Sequence, residues 1–324
     1  MADPTSAETL RRWYRDMYLI RRFEEQAAKA YTQRKIIGFC HLYIGQEAVA
    51  VGCSAALNPS DTVVTAYRGH GQILARGASP NQVMAELFAK DAGICRGVGG
   101  SMHMASKDLN FFGGYGIVGA HVPLAVGAAF AGQYKGDGTV ALVYLGDGAS
   151  NQGAFYEGML LAALWKLPTV FVIENNRYAM GTSLERQVAL TDLAKRGVGV
   201  GVESWSCDGF DVVEVYENAK KAADHARAGQ GPVLLEINCY RYRGHSMSDP
   251  AKYRKAGELD EVKQNDCLLL AEQRLAAAGI GEAELDAIRA AVDVEVDAAY
   301  AFAETAPDAD PARLYAFTYA DGGQ

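Results

Sequence analysis

"TVALVYLGDGASNQG", Thr139 to Gly153, passes from an apolar run to a glycine-rich one in a single step. Residues 139–145 are rich in β-branched and aromatic types, which predicts a short buried strand. The acid that follows it, Asp147, stands between Gly146 and Gly148. Helical periodicity over 152–165 separates this strand from a second apolar run, Thr169–Ile173, which ends in Glu-Asn-Asn-Arg-Tyr at 174–178. The pattern is a strand–helix–strand unit, whose parallel strands end on the same sheet edge. Asn176 is therefore expected to emerge beside Asp147, at the edge where open α/β sheets bind ligands.

Two oxygen donors at one corner suit a hard divalent cation. Magnesium takes six oxygens, few from protein and the rest from phosphates and water. Asp147, the Asn176 amide oxygen and a backbone carbonyl just beyond it could supply three. Gly146 and Gly148 are expected to let the chain turn sharply and approach a phosphate, with helical N–H groups following. The expectation is a metal held against a diphosphate.

Working outward, Thr5-x-x-Glu8 reads as a capping box opening an amphipathic helix. A second helix is expected at about Gly45 to Leu57, and a third from Ser79-Pro80, with Gln82 at the reciprocal capping position. Thr62–Ala66 reads as a strand. From Gly93 to Gly119 the chain is glycine-dense and too long for an ordinary connection, so a functional loop is expected. Gly114-x-Gly116-x-x-Gly119 fits a dinucleotide-binding turn, but such a turn needs a buried strand before it, and 108–113 reads as loop. Further on come a helix over 122–134, a strand near Glu203–Cys207, a helix carrying Val212, Tyr216, Ala219, Ala223 and Ala226 on one face, and a strand over Val233–Cys239. This alternation predicts an α/β fold: a doubly wound, mainly parallel sheet in a single domain spanning 1–324, with a helical N-terminal segment (1–60) and a helical C-terminal segment (258–324).

A chain of 324 residues that is 49% hydrophobic can fill a large core. Its net charge of −8 argues against nucleic-acid binding. The first 35 residues are locally basic through Arg11, Arg12, Arg15, Arg21, Arg22, Arg34 and Lys35, which reads as a solvated helix face. No apolar run is long enough for a membrane span, and the N-terminus carries no secretion or transit signal, so a cytoplasmic protein is expected. The six cysteines are scattered without C-x-x-C spacing, as reduced thiols would be.

Several longer motifs stand in order: "GFCHLYIGQEA" (38–48), "TAYRGHG" (65–71), "RGVGGSMHM" (96–104), "GIVGAHVPLAVG" (116–127), "GDGASNQG" (146–153), "AALWKLP" (162–168), "ENNRYAMGTS" (174–183) and "YRYRGHSMSDP" (240–250). By these the chain resembles the alpha-subunit family of pyruvate dehydrogenase, the decarboxylating first component among thiamine diphosphate-dependent 2-oxo acid dehydrogenases. The resemblance implies thiamine diphosphate and Mg2+ as cofactors. It implies that Asp147, Asn176 and the Tyr178 carbonyl ligate magnesium, and that Tyr67, Arg68, Gly148 and Ala149 contact the diphosphate. The backbone of Gly116 and Val118 would meet the aminopyrimidine, and His41 and His245 would flank the reacting carbon, with His245 also touching cofactor. His70 is a third candidate catalytic histidine.

Such residue types suit these roles: Arg68 offers a planar fork to phosphate, and a histidine passes protons near neutral pH. The family's essential glutamate comes from a beta subunit, so the resemblance implies two alpha and two beta chains, pyruvate as substrate, and a lipoylated dihydrolipoamide acetyltransferase core as the acceptor. Glu47 is read as a network residue. Ser246 matches a serine phosphorylated in mitochondrial relatives, and a bacterial enzyme without that control is expected. The rivals are the branched-chain 2-oxo acid and acetoin dehydrogenase alpha subunits and, from another class, a non-catalytic nucleotide-binding scaffold.

Overall fold

In the computed structural model, which describes residues 3–313 and 315, two helices precede the sheet: α1 (Ala7–Thr32) and α2 (Glu47–Ala56). The chain enters the sheet at β1 (Thr62–Ala66) and continues through α3 (His70–Ala75), α4 (Pro80–Leu87), β2 (Phe111–Tyr115), α5 (His121–Lys135) and β3 (Ala141–Gly146). Next come α6 (Gly153–Trp165), β4 (Thr169–Asn175), the small hairpin β5 (Tyr178–Ala179) and β6 (Thr182–Ser183), then α7 (Leu184–Gln187) and α8 (Lys195–Val198). The sheet closes with β7 (Glu203–Asp208), α9 (Val212–Arg227) and β8 (Val233–Asn238), before α10 (Glu258–Lys263), α11 (Cys267–Ala277) and α12 (Glu282–Thr305).

Six strands form one parallel sheet in the order β2-β1-β3-β4-β8-β7. On β3, Leu142 and Tyr144 join one apolar cluster while Ala141, Val143 and Leu145 join the other. This period of two, buried on both sides, is that of a strand sandwiched between helical layers. One face carries α1, α2 and α9, and the other α5 and α6. Helices α2 and α9 meet closely at Gly52, where a Cβ would lie 2.6 Å from Val215 Cγ1.

The basic stretch formed by α1 and the residues just after it is not simply a solvated face. Arg11, Arg15, Arg22 and Lys35 pair with Glu284, Glu295, Asp293 and Glu304 of the acidic α12. The C-terminal helices thus use complementary charge, besides apolar contacts, to lie along α1. Among the described residues no helix is long and apolar enough to cross a membrane. The C-terminal residues 314 and 316–324 lie outside the described residues.

Three local expectations are corrected. The N-cap of α1 is Ser6, whose Oγ accepts from the Thr9 N–H at 3.3 Å, because the Thr5 hydroxyl is already bonded to Asp3 at 2.7 Å. Ser79 makes no side-chain cap bond; Pro80 at the first turn removes one donor that would need it. The segment before Gly116 is not loop: Phe111–Tyr115 is an edge strand parallel to β1. The dinucleotide spacing thus begins inside an edge strand whose Phe112 is exposed, rather than after a buried strand, and the requirement on which it was set aside is still unmet.

Candidate active site

The β3–β4 register pairs Gly146 with Glu174, so Asp147 and Asn176 leave the sheet within two residues of that pair. They line one cavity of about 260 Å³ together with Arg68 and Gly148. Asp147 is 1% exposed, and its Oδ2 accepts from Gln187 Nε2. Burial raises its pKa above the ordinary carboxylate value, opposed by the Gln187 bond and by the Asn176 N–H. Asn176 Nδ2 donates to Gln46 Oε1 at 2.8 Å, while its Oδ1 is buried without a hydrogen-bond partner.

A buried amide oxygen with no donor is a costly arrangement unless an ion or water meets it. Among the described residues no three His, Cys, Asp or Glu side chains gather to hold a metal. A cation here would therefore rest on one carboxylate plus neutral oxygens, a donor set that suits magnesium rather than zinc. The Tyr178 carbonyl accepts from Arg241 Nη1 at 2.9 Å and keeps a second lone pair. These residues fit a magnesium ion.

The two glycines beside Asp147 serve differently from expectation. Neither adopts a left-handed backbone. At Gly148 a Cβ would lie 2.5 Å from Ala179 Cβ, whereas the Cβ position of Gly146 meets nothing within 4 Å. Close approach, rather than a sharp turn, demands glycine at 148. A 3-10 turn at Ala149–Asn151 then intervenes before α6 begins.

Tyr67, Val118, Met180 and His245 also line a second cavity of about 640 Å³, which adds His41, Phe39, Met102 and Gly116. The rings of His41 and His245 stand 5.2 Å apart, and Tyr67 lies 4.5 Å from His41 and 5.6 Å from His245. Both histidines have a buried Nδ1 with no partner. Burial, and then the Arg68 charge, pulls the pKa of His41 down to about 2 and that of His245 down to about 4. Both are neutral at pH 7.

Arg68 is placed otherwise than a free phosphate grip would be. Its Nη1 and Nη2 donate to the carbonyls of Leu42 (2.7 Å) and His245 (2.8 Å), and burial lowers its pKa to about 10. It borders the smaller cavity with its charge, two of its five N–H donors engaged by these carbonyls. His70 borders neither cavity: it is fully buried, between Glu24 and Ser101. Glu47 accepts from Arg21 and from the Gly45 N–H, a network role.

With this geometry in view, similarity to known proteins is specific. The model of the family described as dehydrogenase E1 component matches residues 15–312. The chain belongs to this family. It is 53% identical over 310 residues to the pyruvate dehydrogenase E1 component subunit alpha of Zymomonas mobilis, covering 95% of this chain and 88% of the relative. The protein of the same name from Rhizobium meliloti is 51% identical, over 93% of this chain and 87% of the relative. The testis-specific mitochondrial form of the rat is 46% identical, over 94% and 79%.

The E1 chain also brings residues to the site that sequence reasoning passed over. Gln187 sits on α7 outside every quoted motif, and nothing in the sequence singles it out. Arg241 lies inside "YRYRGHSMSDP" and is 2% exposed, its guanidinium bridging the Tyr178 and Met180 carbonyls. Glu174 accepts from the Tyr43 hydroxyl and from Gln72, and burial pushes its pKa up to about 7.

Proposed function

We propose that this E1 chain is the alpha subunit of a pyruvate dehydrogenase. With a beta subunit it carries out thiamine diphosphate-dependent oxidative decarboxylation of pyruvate and reductive acetylation of the lipoyl group of dihydrolipoamide acetyltransferase. The observation that carries the reading is the partnerless Asn176 Oδ1 in the same cavity as Asp147, next to the cavity of His41 and His245.

In this reading Asp147, Asn176 and the Tyr178 carbonyl hold Mg2+. Tyr67, Arg68, Gly148 and Ala149 take the diphosphate, and the backbone of Gly116 and Val118 takes the aminopyrimidine. Thiamine diphosphate supplies the electron sink that lets a 2-oxo acid lose carbon dioxide. The chain's own part is placement and charge. Arg68 and Arg241 give the region a positive field that attracts a substrate carboxylate. Each neutral imidazole keeps a lone pair for a proton, and an arriving carboxylate favours its protonation. Phe39, Met102, Val118 and Met180 keep the reacting region apolar and limit water.

The larger cavity is lined in part by Phe39, Val118 and Met180, which are 65%, 41% and 64% exposed. An apolar lining of this kind suits a protein partner. None of the described residues lining that cavity is a glutamate. A beta subunit seated there would close the cavity and contribute a glutamate, and two such pairs make the assembly. The test is carbon dioxide release by the reconstituted alpha–beta pair from pyruvate, 3-methyl-2-oxobutanoate and 2-oxobutanoate. Preference for pyruvate supports the reading; turnover by the alpha chain alone, or preference for the branched acid, overturns it.

A further inference from the structure

Residues 40–44 carry His41 into the larger cavity without belonging to any helix or strand. Their backbone is held from two sides. The carbonyls of Cys40, Leu42 and Ile44 accept from the Met247 N–H (2.9 Å), Arg68 Nη1 (2.7 Å) and the Tyr242 N–H (3.0 Å). The N–H groups of His41 and Tyr43 point the other way. His41 N donates to Ser101 Oγ at 3.3 Å, and Tyr43 N to Glu24 Oε1 at 2.8 Å.

Those two acceptors are joined through His70. Its Nδ1 lies 3.0 Å from Glu24 Oε2 and its Nε2 lies 2.8 Å from Ser101 Oγ. A carboxylate can only accept, so Nδ1 carries a ring proton, and in the neutral imidazole Nε2 is then the acceptor. The Ser101 hydroxyl then donates to Nε2 while its oxygen accepts from His41 N–H. Every group in the series is satisfied, from the His41 N–H through Ser101, His70 and Glu24 to the Tyr43 N–H. Glu24 and His70 are fully buried, and Ser101 is 7% exposed.

This Glu–His–Ser order is that of an activated nucleophile. Neither Ser101 nor His70 lines either of the two site cavities, however, so a substrate seated there does not meet the hydroxyl. What the array does touch is the backbone on both sides of Leu42. We infer that Glu24, His70 and Ser101 form a buried positioning relay which fixes the backbone at residues 41 and 43 and so aims the His41 ring at the reacting centre. His70 is thereby a positioning residue, not a proton carrier. The relay spans α1, the start of α3 and the glycine-rich loop, and a small displacement at His41 is enough to lower turnover steeply.

The inference rests on the proposed decarboxylation, and the wild-type arm of its test keeps the two apart. Pyruvate decarboxylation by the reconstituted alpha–beta pair is followed for wild type, S101A, S101T and H70N over roughly pH 5.5 to 9. S101A and H70N are expected to lower kcat by about ten- to hundredfold with KM little changed and with both limbs of the pH profile in place. S101T, which returns the hydroxyl, is expected to regain most of the loss. An S101A enzyme with wild-type kcat overturns the relay, as does one whose profile has lost an ionisation. A crystal structure of S101A in which residues 40–44 superpose on wild type overturns it without reference to activity. Absence of turnover in the wild-type pair refutes the proposed function instead.

Discussion

Gln187 Nε2 donates to Asp147 Oδ2, tying the α7 segment to the carboxylate expected to hold metal. The bond opposes the burial that raises the pKa of Asp147. The variant Q187L keeps bulk but removes the donor, so the pKa rises further and less of the carboxylate is ionised as pH falls. Magnesium-supported binding of thiamine diphosphate should weaken by about tenfold at pH 6 and by less at pH 8. Calorimetric titration of the alpha–beta pair at the two pH values measures the difference.

The His41 and His245 pair makes a prediction about stability. Both folded pKa values, about 2 and about 4, lie below the ordinary value of 6.5. Below pH 6.5 the unfolded chain takes up protons that the folded chain does not, so this contribution is intact above pH 6.5 and declines as pH falls. H41N removes one such group. Between pH 7.5 and pH 5 the wild type should lose about 1–2 kcal/mol more than H41N, as read from urea midpoints.

Glu86 organises the glycine-rich loop. Its two carboxylate oxygens accept from the N–H groups of Cys95 (2.7 Å), Gly97 (2.9 Å), Gly99 (2.8 Å) and Gly100 (3.0 Å). The same loop carries Met102 to the larger cavity and Ser101 to its bonds with His41 and His70. E86Q turns an NH2 group toward two of those donors and should cost about 2–4 kcal/mol. The readout is a lower thermal midpoint together with weaker cofactor binding.

Much of this arrangement is legible in the sequence because strand ends are. The apolar runs before Asp147 and Asn176 alternate between two buried faces, and a parallel register then brings the loops together whatever lies between them. β2 was hidden because Phe111-Phe-Gly-Gly-Tyr115 carries two glycines at an edge, where only β1 needs to be matched. His41 and His70 both sit in family motifs and look alike as letters. Only burial separates them, the one facing a cavity and the other sealed between Glu24 and Ser101. Gln187 and the α1–α12 ion pairs depend on chain segments meeting from far apart, and local pattern does not report that.

The central claim is that Asp147 and Asn176 jointly hold a magnesium ion against a diphosphate. Its most direct measurement is calorimetric titration of thiamine diphosphate into the alpha–beta pair, with and without Mg2+, for wild type, D147N and N176A. Binding is expected to require Mg2+ in the wild type and to weaken by at least about a hundredfold in each variant, with unfolding midpoints little changed. Metal-independent binding, or variants that bind as the wild type does, would contradict the account.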